Sequence, residues 1–142
     1  MQPPASTSWS PADKTRLALE IVVAYVRVQR SLGRRDLPGL VADVRATPAS
    51  RGSHRPIGDD PPDGARLGRA VVRTIAALPS GTRCLTRSLV LLSLLARRGV
   101  KAELVIAVQP MAPEVLDAHA WIEVDGRPLL VPALGYGRLV TL

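Results

Sequence analysis

The sequence contains one cysteine, no phenylalanine and only four Trp or Tyr residues among its 142 positions. A single cysteine cannot form an intrachain disulfide, so nothing indicates an oxidising compartment. With so few aromatic residues, the 46% of hydrophobic residues predicts a core of Leu, Val, Ala and Ile. Residues 1–10 lack a basic segment followed by an apolar one, so they are not a signal peptide. The longest uncharged apolar run, residues 88–96, is too short to span a bilayer. These absences predict a cytoplasmic protein without a membrane partner.

The residues needed for a metal or a phosphate-bearing cofactor are also scarce. Cys84, His54 and His119 are too few and too far apart in sequence for a zinc ligand set. The sequence contains no glycine-rich phosphate loop, and His54 is expected to be solvated. We therefore predict neither a metal nor a cofactor.

The excess charge is basic, with 19 Lys and Arg against 12 Asp and Glu and a net charge of +7. All the basic residues except Lys14 and Lys101 are arginines. Such a surplus suits an acidic peptide, a nucleic acid or an anionic surface. A GC-rich bacterial genome would produce the same arginine usage, and both explanations remain open. A nucleic-acid-binding domain is the least favoured class, because no aromatic stacking platform or recognition-helix pattern is visible.

The length predicts a single domain over residues 11–142, after a flexible N-terminus at residues 1–10. Ser10 can cap the first helix, and Gly33 can end it in left-handed geometry. A stretch rich in Pro, Gly, Ser and Asp predicts a mobile loop at residues 47–64. Helices are predicted over residues 12–32, 36–46, 65–78 and 84–98. Strands are predicted over residues 102–108, 119–124, 127–131 and 135–140, with a loop at 109–116 and a hairpin turn at Asp125-Gly126. Helices followed by an antiparallel meander indicate the α+β class.

Two positions in this arrangement could carry chemistry. Cys84 begins a helix, where a partial positive charge and unpaired N–H groups favour a thiolate and can hold an oxyanion. Arg83 and Arg87 add positive potential beside it. His119 lies on a later strand, on the face opposite Ala120, so it must meet Cys84 at a sheet edge or cleft. A lone cysteine in a Leu-rich helix is usually just a small buried side chain, and a lone histidine is often only structural. The combination of the two favours a papain-like or transglutaminase-like thiol enzyme.

The motif Arg83-Cys84-Leu85-x-Arg87-Ser88-Leu89, followed by Ala118-His119-Ala120-Trp121-x-Glu123-x-Asp125-Gly126, resembles the leader peptidases of lasso-peptide biosynthesis. These enzymes are transglutaminase-like cysteine proteases, and the resemblance covers roughly residues 65–130. It implies an α+β, transglutaminase/papain-like fold in which the Cys-bearing helix packs on a small antiparallel sheet. It also implies Cys84 as nucleophile, His119 as general base and a precursor peptide as substrate.

The resemblance also implies a separate leader-binding protein as partner, because the chain has no room for that domain. The macrocyclising enzyme of the same pathway is a further candidate partner. A catalytically silent relative that only binds the leader or a partner is the main alternative function.

The residue that would orient His119 is not evident. The resemblance implies an acidic residue about a dozen positions after the histidine, but Val131 and Pro132 occupy that slot. Glu123 is on the right face of the strand yet roughly 13 Å away. Asp117 is nearer, at roughly 7 Å, and could reach back if the chain bends. Gln109 is another possibility, and a Cys-His dyad without a third residue also remains open.

Overall fold

The computed structural model describes residues 10–48, 61–78, 84–129 and 137–142. These residues form four helices and a four-stranded antiparallel sheet, which confirms the predicted α+β class. The helices are α1 (Pro11–Leu32), α2 (Leu37–Ala46), α3 (Pro61–Ala76) and α4 (Cys84–Arg97). The strands are β1 (Glu103–Ala112), β2 (Val115–Val124), β3 (Arg127–Pro128) and β4 (Gly137–Thr141). Most of the predicted flexible N-terminus and loop, residues 1–9 and 49–60, lies outside the described residues.

Helix α1 begins and ends through local hydrogen bonds. The Ser10 hydroxyl accepts a hydrogen bond from the Asp13 backbone N–H, and the Asp13 carboxylate accepts one from the Ser10 backbone N–H. This reciprocal capping box is the predicted start of the helix. Gly33 is the C-cap of α1, as predicted, but it does not adopt the left-handed geometry open to a glycine: its φ is −85°, in the right-handed region, and the Arg34 and Arg35 N–H groups close the last turn on the Ser31 carbonyl. Gly99, after α4, does adopt left-handed geometry, with φ +73°.

The predicted loop at residues 109–116 is wrong. β1 continues to Ala112 and β2 starts at Val115, so the two strands form one long hairpin. Two prolines suggested a loop, but Pro110 pairs with Leu116 in the ladder, and a register shift between Pro110 and Ala112 lets the strand continue. Such a bulge accommodates one extra residue without ending the pairing.

Helix α4 is the centre of the core. Eight of its 14 residues are buried, and it contacts all three other helices as well as β1 and β2. The Arg98 guanidinium, just after α4, makes a two-pronged ion pair with Glu20 on α1, with N–O distances of 3.1 and 3.0 Å. Both side chains are largely buried, so this pair joins α1 to the end of α4.

The sheet has the strand order β3-β2-β1-β4 and two distinct faces. Leu104, Ala120 and Ile122 point into the core with α4. The other face carries a second, small apolar cluster of Val105, Ala107 and Trp121. His119 belongs to this second face, because it pairs directly with Ala107 across the β1–β2 ladder. Among the described residues, no helix is long and apolar enough to cross a membrane.

Candidate active site

Cys84 is the first residue of α4, as the sequence predicts, and it is half-buried. Its Sγ lies 3.9 Å from the carbonyl oxygen of Ala118 on β2. Ala118 immediately precedes His119 in the chain. The fold therefore brings the cysteine, 35 positions earlier in sequence, against the backbone beside the histidine.

The contact is made at the outer edge of β2. The Ile122 carbonyl accepts a hydrogen bond from the Leu129 N–H, on the side of β2 that faces β3 and not β1. Carbonyls two residues apart on a strand point the same way, so those of Ala118 and Ala120 point to this edge as well. Within the described residues, β3 ends at Pro128, and the start of α4 meets the edge instead. Cys84 therefore reaches β2 at a sheet edge, beside the residue that precedes His119.

Ser88 makes a second contact along the same edge. Its buried hydroxyl donates a 3.0 Å hydrogen bond to the Ala120 carbonyl. Cys84 and Ser88 are one helical turn apart, about 6 Å, and Ala118 and Ala120 are separated by about 6.8 Å on the strand. The matched spacing fixes the register of α4 along β2, with both elements running in the same direction. The sequence placed Ser88 on the face of α4 that holds Cys84 but did not assign it this role.

His119 is half-buried and lies beside Trp121, with ring centroids 6.0 Å apart and ring planes tilted by 33°. Trp121 itself is only 5% exposed. Because both side chains lie on the face away from α4, Cys84 can approach the imidazole only around the edge of β2.

Glu123 follows on the same face of β2. Its carboxylate is hydrogen-bonded to residues other than His119. Its Oε1 accepts a 2.8 Å hydrogen bond from the Trp121 Nε1–H and a second, also 2.8 Å, from the Arg138 guanidinium on β4. The carboxylate is 5% exposed, although Arg138 is half-exposed. Sequence alternation identified the face that Glu123 occupies, but neither partner of the carboxylate.

The other candidates for the orienting role that the structure describes are Asp117 and Gln109. Asp117 is exposed on the same face as His119 and pairs across the ladder with the half-buried Gln109. Val131 and Pro132, the slot in which the resemblance implies an acid, lie outside the described residues, as do Arg83 and His54. Arg87 is half-buried on the first turn of α4. Asp117 thus stays a prediction.

A metal site has no support in the described part of the chain, where no group of three or more His, Cys, Asp or Glu side chains comes together. The chemistry available at the β2 edge is that of a thiol at a helix start and a nearby imidazole. These are the elements of nucleophilic acyl transfer.

Comparison with known protein families identifies the family of this fold. The family model described as "Transglutaminase-like superfamily" matches residues 17–140, nearly the whole chain. The protein belongs to this superfamily, whose members commonly act as cysteine proteases or transglutaminases. No curated protein and no solved structure is significantly similar to the chain.

Proposed function

We propose that this protein is a cytoplasmic cysteine peptidase that removes the leader from a ribosomally made lasso-peptide precursor. The observation that carries the proposal is the contact of the Cys84 sulfur with the backbone of Ala118, at the helix start and next to His119. The superfamily supports a thiol-based acyl-transfer reaction. The narrower substrate class rests on the two sequence motifs around Cys84 and His119.

The proposed reaction proceeds through an acyl-enzyme. His119 takes the proton of the Cys84 thiol, and the sulfur attacks the carbonyl carbon of the scissile peptide bond. Backbone N–H groups at the start of α4 stabilise the resulting oxyanion. The C–N bond then breaks, and His119 gives its proton to the departing amine. Water, deprotonated by His119, hydrolyses the thioester and releases the leader carboxylate and free Cys84.

Helix α1 supports a role for a partner protein. Leu19, Val23 and Val26 lie along one exposed stripe of this helix, with exposed fractions of 65%, 39% and 41%. Arg16, Arg27 and Arg30 are exposed on the same helix, whereas its acidic Glu20 is held by Arg98. The other acidic residue of this helix, the exposed Asp13, caps its first turn. An apolar stripe flanked by exposed cations suits a partner surface that is apolar at its centre and acidic at its rim. We assign this surface, the α1 stripe, to the separate leader-binding protein.

The main alternative is a silent relative that binds the leader or the partner without cleaving. The observation that favours it is that Glu123, the carboxylate after His119 on the same face, is bonded to Trp121 and Arg138. Cleavage can be tested on a precursor peptide incubated with the protein, with and without the leader-binding partner, using mass spectrometry. We expect one cut at the leader–core junction.

The variant Cys84→Ala should remain folded and lose cleavage by at least about a thousandfold, because the nucleophile itself is absent. Alkylation of the single cysteine with iodoacetamide should have the same effect. Retained cleavage by Cys84→Ala would exclude the proposed mechanism. An intact precursor in all wild-type reactions, partner present, would support the silent relative.

A further inference from the structure

We propose that Glu123 is a positioning residue that holds the Trp121 indole against His119, and that Arg138 anchors Glu123 from β4, two strands away on the same face of the sheet. The inference rests on the proposed function in one respect only, namely that His119 is the base paired with Cys84. In this proposal the buried Glu123 carboxylate acts on the His119 imidazole without contacting it directly.

Burial of Glu123 requires a specific reason. A carboxylate that loses its water is strongly destabilised unless hydrogen-bond donors replace the water. Its position on the ladder adds to the cost, since Glu103, also acidic, is its direct neighbour on β1. The carboxylate is compensated by two 2.8 Å hydrogen bonds, one from the Trp121 indole and one from the Arg138 guanidinium. Burial of the Glu123 carboxylate therefore depends on the hydrogen bonds from both donors.

The Arg138 contact spans the sheet. Arg138 lies on β4, opposite Ala107, in the same cross-strand row as His119. Its guanidinium nevertheless reaches Glu123, two strands away in the sheet and four residues beyond His119 along β2. The arginine side chain must therefore cross the face of β1. Its hydrogen bond goes to Oε1 of Glu123, the same oxygen that accepts the hydrogen bond from the Trp121 N–H.

Trp121 lies between the carboxylate and the histidine. Its N–H points to Glu123, and its ring lies 6.0 Å from the His119 ring. An indole without this hydrogen bond could rotate, and the imidazole beside it would lose one wall of its site. The position of the imidazole decides how readily it takes the proton of the thiol. Glu123 thus acts on the Cys84–His119 pair through Trp121.

The test uses the reactivity of Cys84, the only thiol in the chain, and needs no substrate. The rate of alkylation by iodoacetamide is measured as a function of pH for the wild type and for His119→Ala, and the difference between the two profiles defines the contribution of His119. We expect Glu123→Ala to lower the alkylation rate about tenfold near neutral pH, which is part of the 10²–10⁴-fold that a well-placed base provides. The matched control is Glu103→Ala, which removes an exposed carboxylate from the same row and face and should retain the wild-type profile.

Trp121→Phe removes the donor of the same hydrogen bond while keeping an aromatic ring. If Glu123→Ala does not fold, this second variant tests the proposal. We expect a loss similar to that of Glu123→Ala, and no further loss when the two substitutions are combined, because they interrupt one path. A folded Glu123→Ala or Trp121→Phe variant with the wild-type pH profile would overturn the proposal, even if it melted at a lower temperature. Because the assay reads the thiol directly, failure of precursor cleavage would not affect its outcome.

Discussion

Among single residues, Ser88 shows how a small polar side chain positions the reactive Cys84. It is completely buried in a helix whose buried neighbours are mainly leucine and valine, and its hydroxyl bonds to the Ala120 carbonyl. The hydrogen bond satisfies the hydroxyl inside the core and fixes the register of α4 along β2. Cys84, one turn earlier, is thereby held beside Ala118.

We predict that Ser88→Ala lowers the free energy of unfolding by about 1 kcal/mol, the net value of a typical buried hydrogen bond. Urea unfolding followed by circular dichroism measures the change. Ser93→Ala, on the same helix but only half-buried, serves as the control and should change stability by less than about 0.5 kcal/mol. Equal effects of the two substitutions would show that the Ser88–Ala120 hydrogen bond contributes nothing specific.

At the scale of elements, the first turn of α1 is held by a charged cap. The Ser10 hydroxyl donates a 2.7 Å hydrogen bond to the Asp13 carboxylate, and the Ser10 backbone N–H donates another of 3.2 Å. The hydroxyl bond, followed by the backbone bond, lowers the pKa of Asp13 below its ordinary value of 3.8. The carboxylate also suits the positive end of the helix dipole.

The lowered pKa of Asp13 determines how the stability of the folded protein changes with pH. The ionised Asp13 stabilises the folded state, so its contribution is complete above pH 3.8 and is lost as the pH falls through the lower, folded-state pKa. Wild type should therefore be more stable than Asp13→Asn well above pH 3.8, and the difference should shrink below it.

Ser10→Ala should move the pKa of Asp13 up toward 3.8, because it removes the largest cause of the shift. Carboxyl carbon chemical shifts followed by NMR across the titration measure this pKa. An Asp13 pKa that is the same in wild type and Ser10→Ala would contradict the account of the cap.

For the whole molecule, the α1 stripe is the surface on which the proposed partner is expected to bind. The net charge of +7 is spread over many arginines, but on α1 exposed cations accompany exposed apolar side chains. The buried side of the same helix, Leu17, Ile21, Ala24 and Val28, packs into the core. One helix therefore has an apolar inner face and a partly apolar outer face, as expected for an element placed between a core and a partner.

We predict that Leu19→Asp combined with Val23→Asp weakens binding of the leader-binding protein by about 2 kcal/mol or more, roughly 30-fold, because a charge replaces the centre of an apolar contact. Calorimetric titration of the partner into this protein measures the effect. Leu139→Asp, at an equally exposed leucine on β4, is the control and should bind as wild type does. The alkylation rate of Cys84 should be unchanged in all three proteins, and unchanged binding by the double variant would remove the α1 stripe from the interface.

Much of this molecule follows from local sequence patterns. Ser10, Pro11 and Asp13 predict the start of α1, and Asp125-Gly126 predicts the hairpin in which Val124 pairs with Arg127. The differences between the sequence-based predictions and the structure also have local causes. Gly33 can adopt left-handed geometry but need not, and Pro110 argues against a strand that the β1–β2 ladder nevertheless tolerates through a bulge.

Local sequence patterns are enough to predict the α+β class, the position of Cys84 at the start of a buried helix and the face of β2 that carries His119. These features follow from hydrophobic period, caps and turns, which act over a few residues. Only the tertiary structure decided that α4 meets the outer edge of β2 at Ala118, and that Glu123 binds Trp121 and Arg138. Such contacts join residues from separate elements, and no local pattern encodes the register in which a helix packs on a strand or the reach of an arginine across a sheet.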